Sequence, residues 1–340
     1  MLADPTLRAI AVYGAGGHTA RFVLAELQRR GVPAVAVGRR AATLPAGFPA
    51  REAAVGEPSA LDAAFAGCAV VINCAGPFLD TALPVAEAAI RVGAGYIDVT
   101  AEQPSAMSLF ERLDAPARAA GVAVIPAAGF YGGLADLLAS ALLGSHGSAD
   151  ALTIAIALDR WWPTAGTRKT GARNTAPRLV VEDGRLVAMP LPAARSTWRF
   201  EPPHGEQAMI ELPFSETITI SRHLRVRSLR AHLTQASLAE IRDETTPPPA
   251  AADESGRSAQ QFEMVVQARA GDTVRTASAS GRDIYAVSAP LVVEAAARLS
   301  RPGQRTGALA LGEAFDAGDF LRSLAPAHLR LGAGLPQTRA

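Results

Sequence analysis

Residues 9–27 read AIAVYGAGGHTARFVLAEL, with three glycines in four positions between an apolar run and a helical pattern. Ala9 to Tyr13 is short, apolar and turn-bounded, the signature of a buried strand. Beyond the glycines, Phe22, Val23, Leu24 and Leu27 recur at helical spacing with Arg and Gln on the opposite face. The glycines therefore sit at a strand-to-helix turn. Gly14 suits the turn's unusual dihedrals, Gly16 and Gly17 let a ligand approach the backbone, and Ala20 lets the helix lie close on the strand. A helix N-terminus at that point, with His18 and Thr19 in its first turn, presents free N–H groups to an anion. Two registers fit: Gly14-x-Gly16-x-x-Thr19 imperfectly, and Gly14-x-x-Gly17-x-x-Ala20 better.

A second apolar run, AVAVG at 34–38, ends about 20 residues beyond the glycines, where a dinucleotide-binding fold places the acidic residue that holds the ribose of NAD. Here the chain has Arg39 and Arg40 instead. Two guanidiniums and no carboxylate suit a 2′-phosphate, so the spacing favours NADP.

Around this stretch the chain repeats strand–helix units as far as about residue 145. AREAAVG at 50–56 reads as a short strand and 58–65 as a helix. AVVINCAGPF at 69–78 is a strand that breaks at Asn73 and Gly76-Pro77, followed by a helix over 81–92. GYIDVT at 95–100, a helix near 105–119 and the strand VAVIPAAGF at 122–130 complete the series. Strands without polar alternation, separated by amphipathic helices, predict a parallel sheet covered on both faces. Its strand ends fall on one edge, where ligands bind.

From about residue 150 the texture changes to period-two alternation, in ALTIAIALD, PRLVVEDGRLVAM, QAMIELPFSETITISRHL and QQFEMVVQARAGDTVRTASASG, with Asp183-Gly184 and Gly271-Asp272 as hairpin turns. The polar, proline-bearing stretch 245–259 predicts a mobile loop. Helices over 289–299 and 315–324 return toward the first domain. The expected fold is α/β: a Rossmann-type doubly wound parallel sheet with a second α+β substrate domain on a mostly antiparallel sheet. The expected bounds are 1–130 for the dinucleotide-binding domain, completed by a C-terminal return over 286–335, and 131–285 for the substrate and oligomerisation domain.

Composition narrows the function. The 340 residues carry a formal net charge of +1, which gives no electrostatic footprint for nucleic acid or an anionic membrane. No run reaches the length of a membrane span and the N-terminus lacks an apolar signal core. Cys68 and Cys74 stand at the two ends of one predicted strand, too far apart to bridge, which fits a reduced, cytoplasmic protein. Six scattered histidines give no ligand spacing for a metal.

Together, GAGGHTARFV, VINCAGPF, YIDVTAE, AAGFYGGLADLLA and GRDIYAVSAPLVVEAAARL resemble the saccharopine dehydrogenase-like NADP-binding family, which includes saccharopine reductases and trans-acting enoyl reductases. The similarity spans residues 9–140, returns at 281–325 and is poor between them. It implies nicotinamide chemistry, and it implies that Asn73, Ala75, Gly76 and Pro77 line the groove for the cofactor. The motif GFYGGLADLLA has Tyr131 where the enoyl reductases carry an acidic residue, so the resemblance does not transfer a substrate.

Hydride transfer belongs to the cofactor, and the protein must place a substrate and manage one proton. A Tyr-x-x-x-Lys pair is excluded: the only lysine is Lys169, and Ala165 stands four residues before it. Tyr131, in a glycine-flanked turn on the ligand edge, is a candidate proton donor or a packed hinge residue. Lys169, in GTRKTGARN, is the second catalytic candidate, able to bind a substrate carboxylate with its arginine neighbours, or part of an exposed cationic loop. His18 is placed to touch the diphosphate rather than to catalyse. Asp98, Thr100 and Glu102 could hold a substrate amine or cap the following helix, and Trp161-Trp162 could line a substrate wall or pack in the core. Cys74 has no histidine to activate it and reads as a small buried residue. The expected function is an NADP-dependent reductase of a C=N, C=O or activated C=C bond in a small molecule. The competing class is a non-catalytic NADP-binding redox sensor. A homodimer is one option for its assembly.

Overall fold

The computed structural model describes residues 8–144, 147–332 and 334. Residues 1–7 and 335, which bound the expected first domain and its return, lie outside the described residues.

The N-terminal half alternates strand and helix: β1 (Ile10–Tyr13), α1 (His18–Arg29), β2 (Ala34–Gly38), β3 (Ala50–Glu52), α2 (Pro58–Phe65), β4 (Val70–Asn73), α3 (Phe78–Arg91), β5 (Gly95–Asp98), α4 (Gln103–Ala119) and β6 (Ala123–Ile125). A π-helical turn, Phe130–Leu134, then runs into α5 (Ala135–Leu143). The second half holds β7 (Ser148–Leu158), α6 (Ala165–Arg173), β8 (Leu179–Glu182), β9 (Arg185–Ala188), β10 (Arg195–Arg199), β11 (Glu206–Glu211), α7 (Glu216–Ser221), β12 (Arg225–Thr234), α8 (Gln235–Arg242), β13 (Gln261–Ala270) and β14 (Thr273–Arg282). The chain closes with α9 (Ser288–Leu299), β15 (Gly307–Ala308), α10 (Leu311–Ala314), α11 (Ala317–Leu324) and β16 (Arg330–Leu331).

The first sheet is parallel throughout, in the order β15-β6-β5-β4-β1-β2-β3. Chain order reverses between β1 and β4, and that switch point faces the glycine-rich turn. Burial on both faces explains why the strands lack alternation: Ile10 and Val12 pack into one apolar cluster, and Ala11 and Tyr13 into another on the opposite side. The first cluster continues without a break through α5 and α9 into Ile154, Ile156, Met264 and Val266 of the second sheet. Helix α5 lies between the sheets with nearly every residue buried, as an all-round apolar sequence requires.

The second sheet runs β10-β11-β12-β7-β13-β14-β16, with β8 and β9 attached beside β12. It is antiparallel apart from the β12–β7 pair, which is parallel. Both expected hairpins form; Asp183 and Gly184 take φ of 46° and 74° and join β8 to β9. One alternating run does not stay extended. In QAMIELPFSETITISRHL the strand stops at Glu211, and Glu216–Ser221 is helical despite its β-branched residues. Pro213 has no N–H for a ladder, and the next N–H, that of Phe214, is taken by the Glu216 carboxylate at 2.7 Å. Strand predictions were also long at 50–56 and 122–130, where only Ala50–Glu52 and Ala123–Ile125 pair. The 245–259 stretch has no helix or strand and is fastened by Arg21 to the Gly256 carbonyl and by Asp253 to Arg282.

The segment after β6 is tightly constrained. Ala127 has φ 56°, and a Cβ on Gly132 or Gly133 would collide with the carbonyl oxygen of Ala127 or Ala128 respectively. Such overpacking costs about 1–3 kcal/mol. Gly133→Ala is therefore expected to lower unfolding free energy by about that much in urea titrations; an unchanged midpoint would show that the turn relaxes freely.

Candidate active site

The glycine-rich turn is shaped by contacts that exclude side chains. Gly14 has φ +76°, and a Cβ there would lie 2.8 Å from that of Ala75. Built on Gly16 it would lie 3.0 Å from the Thr43 carbonyl, and on Gly17 3.1 Å from that of Gly14. The turn closes on itself through Gly17 N–H to Gly14 O at 2.9 Å and is hung from β2 by Gly14 N–H to Val37 O at 2.9 Å. Among the described residues, no carbonyl accepts from the N–H groups of Gly16, His18, Thr19 or Ala20. Gly17 caps α1 without a side-chain bond. A bare loop over a helix start with free donors suits a phosphate. Arg39 and Arg40 follow β2, both exposed, and no described residue pairs with either guanidinium. These residues fit a dinucleotide with a third phosphate.

Across the switch point, the Asn73 side chain bends the chain after β4. Its Oδ1 accepts from Ala75 N–H at 2.9 Å and its Nδ2 donates to Tyr96 Oη at 3.1 Å. Gly76 lies against Thr170 of α6, and Pro77 caps α3. The Cys74 thiol is pushed up to about 12 by burial and by Asp98, which removes it as a nucleophile.

Asp98, Thr100 and Glu102 do meet at this edge, yet each is at most 1% exposed and engaged by the protein itself. Asp98 accepts from Thr100 N–H, Ala127 N–H and Tyr96 Oη, Thr100 Oγ1 accepts from Glu102 N–H, and Glu102 accepts from the N–H groups of Phe78 and Leu79. The expected amine-binding trio is thus corrected to a brace. Glu102 caps α3, not the helix that follows it, because the β4 turn brings that N-terminus alongside. Burial raises the Asp98 carboxyl to about 6, against the pull of its three donors.

His18 sits edge-on between Phe22 and Tyr285, with ring centroids 5.5 and 5.4 Å away, and its buried Nε2 has no partner. Burial, reinforced by Arg21, lowers its pKa and keeps it neutral near pH 7. Tyr285 Oη in turn meets Trp161 Nε1 at 3.2 Å and Thr167 Oγ1 at 2.9 Å, which ties the cofactor loop to α6.

Tyr131 stands on the π-helical turn, a rare conformation that is frequent at functional sites. It is 9% exposed and its hydroxyl has no partner. Its ring lies 4.1 Å from Phe214 and 6.1 Å from Trp161, which is buried in the same apolar cluster. Two further groups here escaped the sequence reading. Glu216 is fully buried, with Oε1 held by Phe214 N–H and Oε2 unpartnered; burial pushes it up to about 7. Arg178 lies with its guanidinium 4.8 Å over the Phe214 ring and donates to Pro213 O at 2.6 Å. Nothing in their local sequence marks them, since a Glu in a β-branched run and an Arg before a strand are ordinary surface patterns.

Lys169 is not with them. It is exposed on α6, and its arginine neighbours are occupied: Arg168 by the carbonyls of Asp243 and Thr246, Arg173 by Asp80. Among the described residues no group of His, Cys, Asp and Glu could hold a metal, and no helix is long and apolar enough to cross a membrane.

Comparison with known proteins agrees with this geometry. Residues 10–125 match the family described as the saccharopine dehydrogenase NADP binding domain. No curated protein matches the chain. Among solved structures, apo saccharopine dehydrogenase (L-Glu forming) from Saccharomyces cerevisiae is similar over 96% of this chain and 99% of that one, with a TM-score of 0.64 at 13% identity. The DAP dehydrogenase of C. glutamicum in complex with DAP is similar over 94% and 98%, with a TM-score of 0.51 at 15% identity. At such identities the likeness shows a shared fold. With its glycine-rich turn, its paired arginines and a matched segment that spans the first six strands, the chain carries over residues 10–125 an NADP-binding domain of the saccharopine dehydrogenase type.

Proposed function

We propose that this protein is an NADPH-dependent reductase of a C=N, C=O or activated C=C bond in a small molecule. The observation that carries the reading is the Tyr131 hydroxyl: buried, unpartnered, and carried on a π-helical turn at the edge where a parallel sheet binds ligands. A sensor that only binds the dinucleotide has no use for an orphaned phenol in an enclosed aromatic site.

In this reading Gly14, Gly16, Gly17, His18, Thr19 and Ala20 hold the pyrophosphate, and Arg39 and Arg40 hold the 2′-phosphate. Asn73, Ala75, Gly76 and Pro77 form the wall beside the nicotinamide. The cofactor supplies the hydride. Tyr131 directs its O–H at the substrate heteroatom where negative charge develops, and Trp161 and Phe214 exclude water from it. Lys169, on the rim, meets substrate charge only at the entrance. Two free cysteines support a cytoplasmic setting.

Three outcomes test the reading. Each charge-assisted hydrogen bond contributes about 1.5–3 kcal/mol, so calorimetry should give NADPH at least about a hundredfold preference over NADH. Arg39→Asp should flatten that preference; equal affinity in the wild type would refute the assignment. Gly17→Val should abolish dinucleotide binding with near-native circular dichroism, since its side chain fills the cradle; retained binding would reduce the glycines to a turn. Against a panel of imines, 2-oxo acids, aldehydes and enoyl compounds, Tyr131→Phe should lower kcat by roughly 10²–10³ with NADPH affinity intact, the usual cost of deleting one such donor. Activity within about threefold of wild type would remove Tyr131 from the chemistry.

A further inference from the structure

Two polar atoms in the enclosure around Phe214 are buried and have no partner: the hydroxyl of Tyr131 and Oε2 of Glu216. They arrive from different elements. Tyr131 comes from the turn after the parallel sheet and Glu216 from the start of α7, which packs on that turn through Thr219 Oγ1 to Gly132 O at 3.2 Å. Phe214 is their shared neighbour: the Tyr131 ring stacks on it, its N–H fastens Glu216 Oε1, and Arg178 covers it. One buried orphan is costly, and two borne by neighbours of the same Phe214 point to a ligand that satisfies both.

We propose that Tyr131 and Glu216 grip the oxygen of a carbonyl substrate together, and that Glu216 gives it the proton. This rests on the reductase reading and narrows its substrate class. A carbonyl oxygen has two lone pairs and accepts from both groups, whereas an imine nitrogen has one. The carbonyl carbon takes hydride from NADPH and the C=O π pair moves onto oxygen. That oxygen takes the Glu216 proton, leaving an alcohol, NADP⁺ and a Glu216 carboxylate beside Arg178. Water reprotonates Glu216 after release. Tyr131 keeps its proton, because burial and the neighbouring Tyr285 and Glu216 raise its pKa well above the ordinary phenol range. Glu216, raised to about 7, matches the working pH of a general acid.

The groups that face Glu216 are few. Arg178 and Tyr131 are nearest in effect, with Arg242 of α8 acting on Arg178 and Tyr285 on Tyr131. On the side of α5, Asp136 and His223 pair with each other at 2.7 Å, and α4 turns the uncharged Gln103 toward the Phe214 carbonyl.

Glu216→Gln keeps the acceptor for Phe214 N–H and a donor toward the substrate but has no proton to release. Infrared spectra of the NADP-bound protein should show a neutral carboxyl band at pH 6 that fades as pH rises through about 7 and is missing in Glu216→Gln. With the aldehydes and 2-oxo acids of the panel, wild-type kcat should fall as pH rises through the same range. Glu216→Gln should lose about 10²–10⁴ in kcat, with a flat profile and unchanged KM for NADPH. Absence of the neutral band, wild-type kcat in Glu216→Gln, or turnover confined to imines would each overturn the proposal while leaving the reductase reading in place. Failure of the whole panel overturns both, even where the infrared band is present.

Discussion

Asp98 takes hydrogen bonds from three separate places: Thr100 N–H at 3.0 Å, Ala127 N–H at 2.8 Å and Tyr96 Oη at 2.9 Å. Its backbone carbonyl takes a fourth from Ala128 N–H. The end of β5 is thereby sewn to the segment after β6, and Ala127 is held at a φ of 56° that an alanine rarely adopts. From that fixed point the chain can only continue as it does, through Gly132 and Gly133 pressed against the preceding carbonyls, so Tyr131 is delivered at one orientation. Tyr96 passes the constraint to Asn73, and Asn73 to the turn after β4. The segment that carries Tyr131 and the turn after β4 therefore share one buried polar network, and such a network loses geometry everywhere when one member is removed.

The apolar character of that network's surroundings explains its energetics. A carboxylate that is fully enclosed gains a proton more readily than one in water, and three donors only partly reverse this. Burial likewise raises Glu216, to about 7, against the pull of Phe214 N–H and the Arg178 guanidinium. Asp98 has both oxygens claimed by donors and serves as a brace, whereas Oε2 of Glu216 is left without a partner.

Much of this was legible in the chain. Period, length and punctuation revealed the parallel sheet, because strands buried on both faces write themselves as unbroken apolar runs and glycines mark the turn that must stay bare. Arg39 and Arg40 were readable because the spacing from the glycines is fixed by one strand–helix–strand unit. The trio Asp98, Thr100 and Glu102 was correctly placed at the ligand edge but wrongly faced, since a sequence gives the position of a carboxylate and not the N–H groups that fold back to claim it. Glu216 and Arg178 were out of reach for a related reason. Their meeting with Tyr131 depends on α7, a helix whose sequence favours a strand and which forms only because Pro213 ends the ladder and the site around it is already enclosed.

The last strand of the parallel sheet, β15, is made from Gly307 and Ala308, and pairs with β6 from the far end of the chain. During synthesis the first six strands can assemble as soon as residue 125 has emerged, since domains fold as their segments leave the ribosome. Until the tail follows, β6 carries an open row of N–H and C=O groups able to recruit another nascent chain. The tail then closes it, with Gly307 and Leu309 donating to the carbonyls of Val122 and Val124, while Asp114 of α4 holds Ala308 N–H at 2.9 Å. Those few late residues act as a seal against aggregation, and a chain cut short anywhere before them would be a sticky one even with its whole cofactor cradle already made.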